Sequence, residues 1–360
     1  MNTSQLAAGA NTLAEILSQP KCWQDCLRSL ESDGQVEKLR SCLDPSAHWL
    51  FIGCGSSYYI AQAAAASWTA ITGGAAKAMP ASELLLFPDG ALAETASCQP
   101  VLISRSGHTS EVLKVAEYLE SSRKMRTLAI SCAHNQPLEG IATYSLCLPA
   151  ADERSTVMTR SFSSMLLGLQ FLAATLAGNA EFLNALRSLP APAQDALDRL
   201  VPTIREFVGR KQFENYVFLA QGPLIGLAAE AQLKVMEMSC SYAQSYHALE
   251  FRHGPKSIVD PEVLVCFMLS ESAQETELEV LQETKALGAT TLVVANQASP
   301  RARHHADLLL ELNLPVFEVA RLAAYAFAGQ LLGFYTGLKK DQNPDAPRHL
   351  TRVVLLDGAE

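Results

Sequence analysis

The chain has 360 residues, 49 % of them hydrophobic, enough for two domains of ordinary size and a substantial core. Its net charge of −9 excludes the basic face that a nucleic-acid or anionic-membrane surface needs, but leaves room for local positive charge around a small anion. Nine cysteines, an odd number without paired spacing, point to reduced thiols and a cytoplasmic protein; no second pair or nearby histidine joins Cys22 and Cys26, so no metal is expected.

The N-terminus, MNTSQLAAGANTLAEI, lacks a basic region followed by an apolar core, so no signal peptide is expected. Residues 1–40 read as a helical arm. A strand follows in WLFIG from Trp49, then the turn Gly53-Cys54-Gly55-Ser56-Ser57, then an alanine-rich helix. The run from Leu102 begins as a buried strand, breaks into Ser104-Arg105-Ser106-Gly107-His108-Thr109, and resumes with helical spacing. TLAISC from Thr127 is a further strand. Ser163–Leu176 is too short and interrupted to span a bilayer and reads as a buried helix. A seam is expected at Ser188–Pro202, where prolines cluster.

Beyond the seam the chain repeats itself. YVFLAQGPLIGLAAEAQLKV from Tyr216 echoes WLFIGCGSSYYIAQAAAASW, VCFMLSESAQETELEV echoes PVLISRSGHTSEVLKV, and TLVVAN echoes TLAISC. Phe51 pairs with Phe218, Ser104 with Ser270 and Thr127 with Thr291. Continuous apolar strands alternating with helical patterns predict an α/β fold with mostly parallel sheets covered on both faces. The domains expected are 41–185 and 203–345, followed by a tail, 346–360.

Hydroxyls, backbone N–H groups and a helix N-terminus favour negative charge. Ser104, Ser106 and Thr109 supply hydroxyls in one loop, and Ser56 and Ser57 in the other. GxxxxGK[ST] spacing is absent, and Tyr58 stands at the third glycine position of a dinucleotide fingerprint, so no nucleotide cofactor is expected. N-capping of helices is the plainer explanation for such residues.

GCGSS and SRSGHTSE resemble the phosphate loops of the sugar isomerase (SIS) domain. Over about residues 10–357 the chain resembles tandem-SIS enzymes: the isomerase half of glucosamine–fructose-6-phosphate aminotransferase, and the galactosamine-6-phosphate deaminase/tagatose-6-phosphate isomerase type. The resemblance implies two tandem three-layer α/β/α domains binding a hexose 6-phosphate. It makes Ser57, Ser104, Ser106 and Thr109 phosphate ligands, with Arg105 acting mainly through its backbone, and turns Ser56 to the sugar. No glutaminase domain or N-terminal cysteine nucleophile is present, so glutamine-dependent synthesis is not expected of this chain alone.

Moving a proton between C1 and C2 of a sugar needs a positioned carboxylate and a group to open the ring. Glu230, Lys234 and Glu237 share one helix face, which reads as a surface ion pair or, given apolar neighbours, as a carboxylate raised by burial. LKVMEMS resembles the aminotransferase's LKLKEIS and places the base at Glu237. FRHGPKS resembles the deaminase type and places ring opening at His253, contributed by the neighbouring subunit of a homodimer, with Glu250 weighed as an orienting residue. Thr159-Arg160-Ser161-Phe162 resembles the loop lining the sugar, with Thr159 as the contact.

PRHLTRVVLLD resembles the tail that closes over the sugar, with Arg352 where the aminotransferase has lysine; an arginine stays protonated and forms no imine, so the resemblance leaves Arg352 to contact the sugar's hydroxyls or phosphate. In the second copy, Ser270-Glu271-Ser272-Ala273 puts an acid opposite Arg105, so one phosphate site per chain is expected. The reading is an amino-sugar 6-phosphate deaminase/isomerase. Its alternatives are a plain aldose–ketose isomerase and a non-catalytic sugar-phosphate sensor. The sensor is disfavoured because residues 1–48 carry only Lys21, Arg28, Lys38 and Arg40 as cations.

Overall fold

A computed structural model describes residues 8–92 and 98–356. Its strands are β1 (His48–Gly53), β2 (Ala76–Pro80), β3 (Cys98–Ile103), β4 (Leu128–Ser131), β5 (Tyr144–Cys147), β6 (Asn215–Ala220), β7 (Tyr242–His247), β8 (Val263–Met268), β9 (Thr290–Ala295) and β10 (Leu308–Glu311). They form two five-stranded sheets, ordered β2-β1-β3-β4-β5 and β10-β9-β8-β6-β7. Every pairing is parallel. Read in the same direction, the two orders coincide, so the repeat in the sequence is a repeat of the fold.

Both sheets are covered on two faces, which is why their strands read as unbroken apolar runs. In β1, Leu50 and Ile52 pack with Leu102, Leu84, Val112 and Leu138. The alternate residues turn the other way: the Trp49 ring stacks on Trp68 at 3.6 Å, and Phe51 lies 6.1 Å from the same ring. In the second sheet Val217, Val265 and Val293 pack with Leu278, Leu281 and Ala302. The apolar segment from Ser163 lies within the buried helix Arg160–Leu176.

The chain divides into two compact units. One holds β1–β5 and comprises Lys21–Glu153, Arg160–Ser188 and the segment from Thr351. The other holds β6–β10 and comprises the residues up to Pro20, Arg154–Thr159 and Leu189–Leu350. The N-terminal region is helical, but its residues are shared between the units on either side of Pro20. The chain passes from the first of these units to the second at Ser188–Leu189, within the expected seam, and the rest of that stretch belongs to the single helix Pro190–Arg210. Pro190 sits in its first turn, where a missing N–H costs nothing, and the exposed Pro202 sits where solvent replaces the lost hydrogen bond.

Helices Ile225–Ser239 and Leu322–Lys339 pack backbone to backbone. A Cβ on Gly333 would stand 2.6 Å from the Lys234 carbonyl oxygen. Gly333→Val is therefore expected to cost about 3 kcal/mol through overpacking, read as a lowered urea midpoint. An unchanged midpoint contradicts this close approach.

Candidate functional site

β1 and β3 are parallel neighbours, while the chain leaves β1 for β2 on the opposite side. The loops after β1 and β3 therefore flank the point where strand order reverses, which is where open sheets of this order bind ligands. The first loop ends in Ser56 and Ser57, both buried, at the start of the helix Ser56–Thr72. In the second, Ser104 Oγ accepts the Gly107 N–H at 3.1 Å and lies 3.2 Å from Thr109 Oγ1. Gly107 has φ +68°, and a Cβ there would meet Gln136 Oε1 at 1.8 Å, so this tight turn admits only glycine.

Ser106 Oγ accepts the His108 N–H at 3.2 Å, and Thr109 stands at the N-cap position of the helix Ser110–Glu117 without a capping hydrogen bond to its side chain. His108 is exposed, with Nδ1 2.7 Å from the Ser106 carbonyl oxygen. Arg105 is buried, and its guanidinium meets the buried Glu153 carboxylate at 3.4 Å. The fold thus places Ser56, Ser57, Ser104, Arg105, Ser106 and Thr109 in the loops at the carboxyl ends of two adjacent parallel strands. Two helix N-termini and a set of hydroxyls there suit an oxyanion.

The second copy keeps the serine turn: Ser270 Oγ accepts the Ala273 N–H at 3.1 Å. Three further donors of this turn, however, are spent within the protein. The Ser270 N–H and hydroxyl go to Glu277 Oε2 at 2.9 and 3.0 Å, and the Glu271 N–H goes to Glu318 at 2.6 Å. In this copy the Glu277 and Glu318 carboxyl groups take up donors of the serine turn. The acid noted in the sequence, Glu271, is not one of them, because its carboxylate pairs with Arg321.

Burial pushes the Glu277 carboxyl up to about 7, against the two Ser270 hydrogen bonds and with the help of the Glu318 charge. The unfolded chain releases this proton near the ordinary value of 4.5. Folding therefore takes up a proton between these values, and stability falls as pH rises across that window. Glu277→Gln removes this dependence while keeping an acceptor for Ser270. Wild type is expected to lose a few kcal/mol relative to this variant between pH 4.5 and 7. Parallel stability curves contradict the burial argument.

Glu230, Lys234 and Glu237 form a cluster on the helix Ile225–Ser239. It is not a surface pair. Lys234 Nζ lies 3.3 Å from Glu230 Oε1 and bonds Glu237 Oε2, with the Lys234 and Glu230 side chains 1 % exposed and Glu237 18 %. Burial alone pulls an ammonium down, but the Glu230 and Glu237 charges, helped by their hydrogen bonds, outweigh it and raise Lys234 above the ordinary lysine value. The ammonium remains charged and holds both carboxylates. Of the two sequence readings of this face, the buried one holds, with Lys234 and Glu230 each 1 % exposed.

His253 is exposed at the end of the short 3-10 turn Glu250–His253. The ion pairs of this turn are made by Arg252, whose Nη2 meets Glu283 at 2.7 Å and Glu279 at 3.3 Å; Glu250 is exposed. Thr159 is fully buried, and its carbonyl accepts from Gln330 Nε2 at 3.2 Å. Glu237, His253 and Thr159 belong to the unit of β6–β10, and Ser56, Ser57, Ser104, Arg105, Ser106, Thr109 and Arg352 to the other. The Arg352 guanidinium pairs with Asp152 at 2.5 Å. Among the described residues no group of three His, Cys, Asp or Glu side chains is arranged to hold a metal, and no helix is long and apolar enough to cross a membrane.

Residues 43–175 match the SIS domain family. The chain is 27 % identical over 367 residues to the glutamine–fructose-6-phosphate aminotransferase [isomerizing] of Pseudomonas aeruginosa, covering 96 % of this chain and 58 % of that protein. The chain spans little more than half the length of such curated relatives. Its structure superposes on the glucosamine-6-phosphate deaminase of Thermotoga maritima with TM-score 0.76 and 27 % identity, over 96 % of this chain and 100 % of that one. The tagatose-6-phosphate ketose/aldose isomerase of Escherichia coli shares the fold, with TM-score 0.82 and 23 % identity, over 94 % and 96 %.

Proposed function

For a chain that carries an SIS domain, we propose a phosphosugar isomerase that acts on an amino-sugar 6-phosphate and releases ammonia. One observation carries this reading. Within a buried Glu–Lys–Glu cluster, Glu237 is the member whose side chain keeps access to solvent, at 18 % against 1 % for Glu230 and Lys234. It is the carboxylate able to meet a substrate, and Lys234 fixes its orientation.

The phosphate is held by Ser57, Ser104, Ser106 and Thr109 and by the helix starts behind them. His253, from the neighbouring subunit of a homodimer, moves the proton that opens the sugar ring. Glu237 then takes the proton from C2 of the open aldose and returns it to C1. With an amine at C2 the product is an imine. Water adds at C2, ammonia leaves, and a ketose 6-phosphate remains. With a hydroxyl at C2 the same transfer interconverts aldose and ketose directly. The nine free thiols fit a reducing, cytoplasmic setting.

The test is to offer glucosamine 6-phosphate, galactosamine 6-phosphate and tagatose 6-phosphate separately, and to measure ammonia and sugar product independently. Ammonia equal to ketose from an amino sugar is expected. Turnover of tagatose 6-phosphate alone supports the plain isomerase. Binding of all three without product supports a sensor.

A further inference from the structure

The loop Arg154–Thr159 belongs to the unit of β6–β10, although the chain on both sides of it belongs to the other. The loop contains no helix or strand, so its backbone groups need partners from elsewhere. Two buried side chains supply them, one at each end. At the start, the Glu15 carboxylate accepts the Arg154 N–H at 2.6 Å and the Ser155 N–H at 3.4 Å. Glu15 lies on the helix Ala10–Leu17. Thr12, on the same helix, brings its hydroxyl to 3.1 Å from Ser155 Oγ and donates to Asp345 at 2.7 Å.

At the end of the loop, Gln330 Nε2 donates to the Thr159 carbonyl at 3.2 Å. Gln330 is fully buried, and its Oε1 accepts from Gln19 Nε2 at 2.8 Å, so the amide cannot turn over without giving up both bonds. Gln330 stands on the helix Leu322–Lys339. The residue before it, Gly329, faces the helix that carries Glu237: a Cβ there would stand 2.3 Å from the Ala231 Cβ. One helix thus meets the loop and the helix of the base through adjacent residues.

We propose that Glu15 and Gln330 are positioning residues for sugar recognition: they tether the two ends of the loop Arg154–Thr159 to the unit that carries Glu237, and so hold the lining of the sugar in place beside the base. Both tethers grip the backbone, so they set the path of the loop whatever its side chains touch. The helix Ala10–Leu17 thereby takes part in substrate affinity. This rests on the reading of that loop as the lining of the sugar.

The test uses the full chain and the variants Gln330→Met and Glu15→Gln. Binding of glucosamine 6-phosphate, galactosamine 6-phosphate, tagatose 6-phosphate and inorganic phosphate is measured by calorimetry. Hydrogen–deuterium exchange is followed in the peptide covering residues 154–159. Gln330→Met keeps the volume but neither donates to Thr159 nor accepts from Gln19. It is expected to weaken the sugar phosphates about tenfold, the affinity equivalent of one buried hydrogen bond, and to leave inorganic phosphate unchanged. Glu15→Gln keeps an acceptor without the charge, so a smaller loss in the same direction is expected, with faster exchange at Arg154 and Ser155. Leu281→Ala, a cavity in the core of the second sheet, lowers stability as well but is expected to keep every affinity.

Sugar-phosphate affinities at the wild-type value in a folded Gln330→Met overturn the assignment; if that variant does not fold, the same result in Glu15→Gln does so. Equal weakening of sugar phosphate and inorganic phosphate overturns it too, as does an equal loss in Leu281→Ala. A wild type that binds these sugars and turns over none overturns the isomerase reading alone. A wild type that binds none of the three overturns both.

Discussion

Glu237→Gln is expected to lower turnover of the productive sugar phosphate by about 10²–10⁴-fold, the usual contribution of a positioned general base. The amide is nearly isosteric and still offers an oxygen to Lys234, which bonds the native carboxylate. What it cannot do is take a proton. Phosphate affinity, measured by calorimetry, is expected to stay at the wild-type value, because the anion loop lies in the other unit of the chain. If this variant keeps more than a tenth of the wild-type rate, another group is the base.

Lys234→Met is expected to cost about 3–5 kcal/mol of stability, because it leaves two carboxylates around a buried position without their counter-charge. A solvent-exposed Glu–Lys pair of the same spacing contributes at most about 1 kcal/mol. The two readings of this helix face therefore separate by a factor the urea midpoint resolves. Adding Glu230→Gln to Lys234→Met is expected to recover part of the loss, since Glu230 lies 3.3 Å from the ammonium and is the deeper acid. A cost below 1 kcal/mol for Lys234→Met shows that water reaches this cluster.

The repeated fold was legible because its signal is local. VLVCFM and TLVVA are apolar runs that only a sheet covered on both faces buries, and β8 is buried throughout. The serine loop was legible for the same reason, since hydroxyls and a glycine between a strand and a helix are contiguous in the chain. The state of the Glu230–Lys234–Glu237 face was legible only as two alternatives, with the apolar neighbours pointing to the buried one that the structure shows. Its spacing is the same whether the helix meets water or another helix, and here that is decided by Gly333, about a hundred residues later, which lets the second helix approach the Lys234 carbonyl. Nor did the sequence mark Glu277 as the anion of the second loop. Seven residues separate it from Ser270, and only the fold of that turn brings its carboxylate onto the Ser270 donors. The prolines of Ser188–Pro202 marked the passage from one compact unit to the other, which falls at Ser188–Leu189, and Pro190 opens the helix that follows.

The account stands on a proton moved by Glu237 at the carbons of a sugar phosphate. The direct measurement is exchange of the C1 hydrogens of a ketose 6-phosphate incubated with the protein and ammonium in D2O, followed by NMR. Loss of one C1 hydrogen signal is expected with wild type, and none with Glu237→Gln over the same time. Complete retention of both C1 hydrogens by wild type, with fructose 6-phosphate and tagatose 6-phosphate each shown to be bound, contradicts the account.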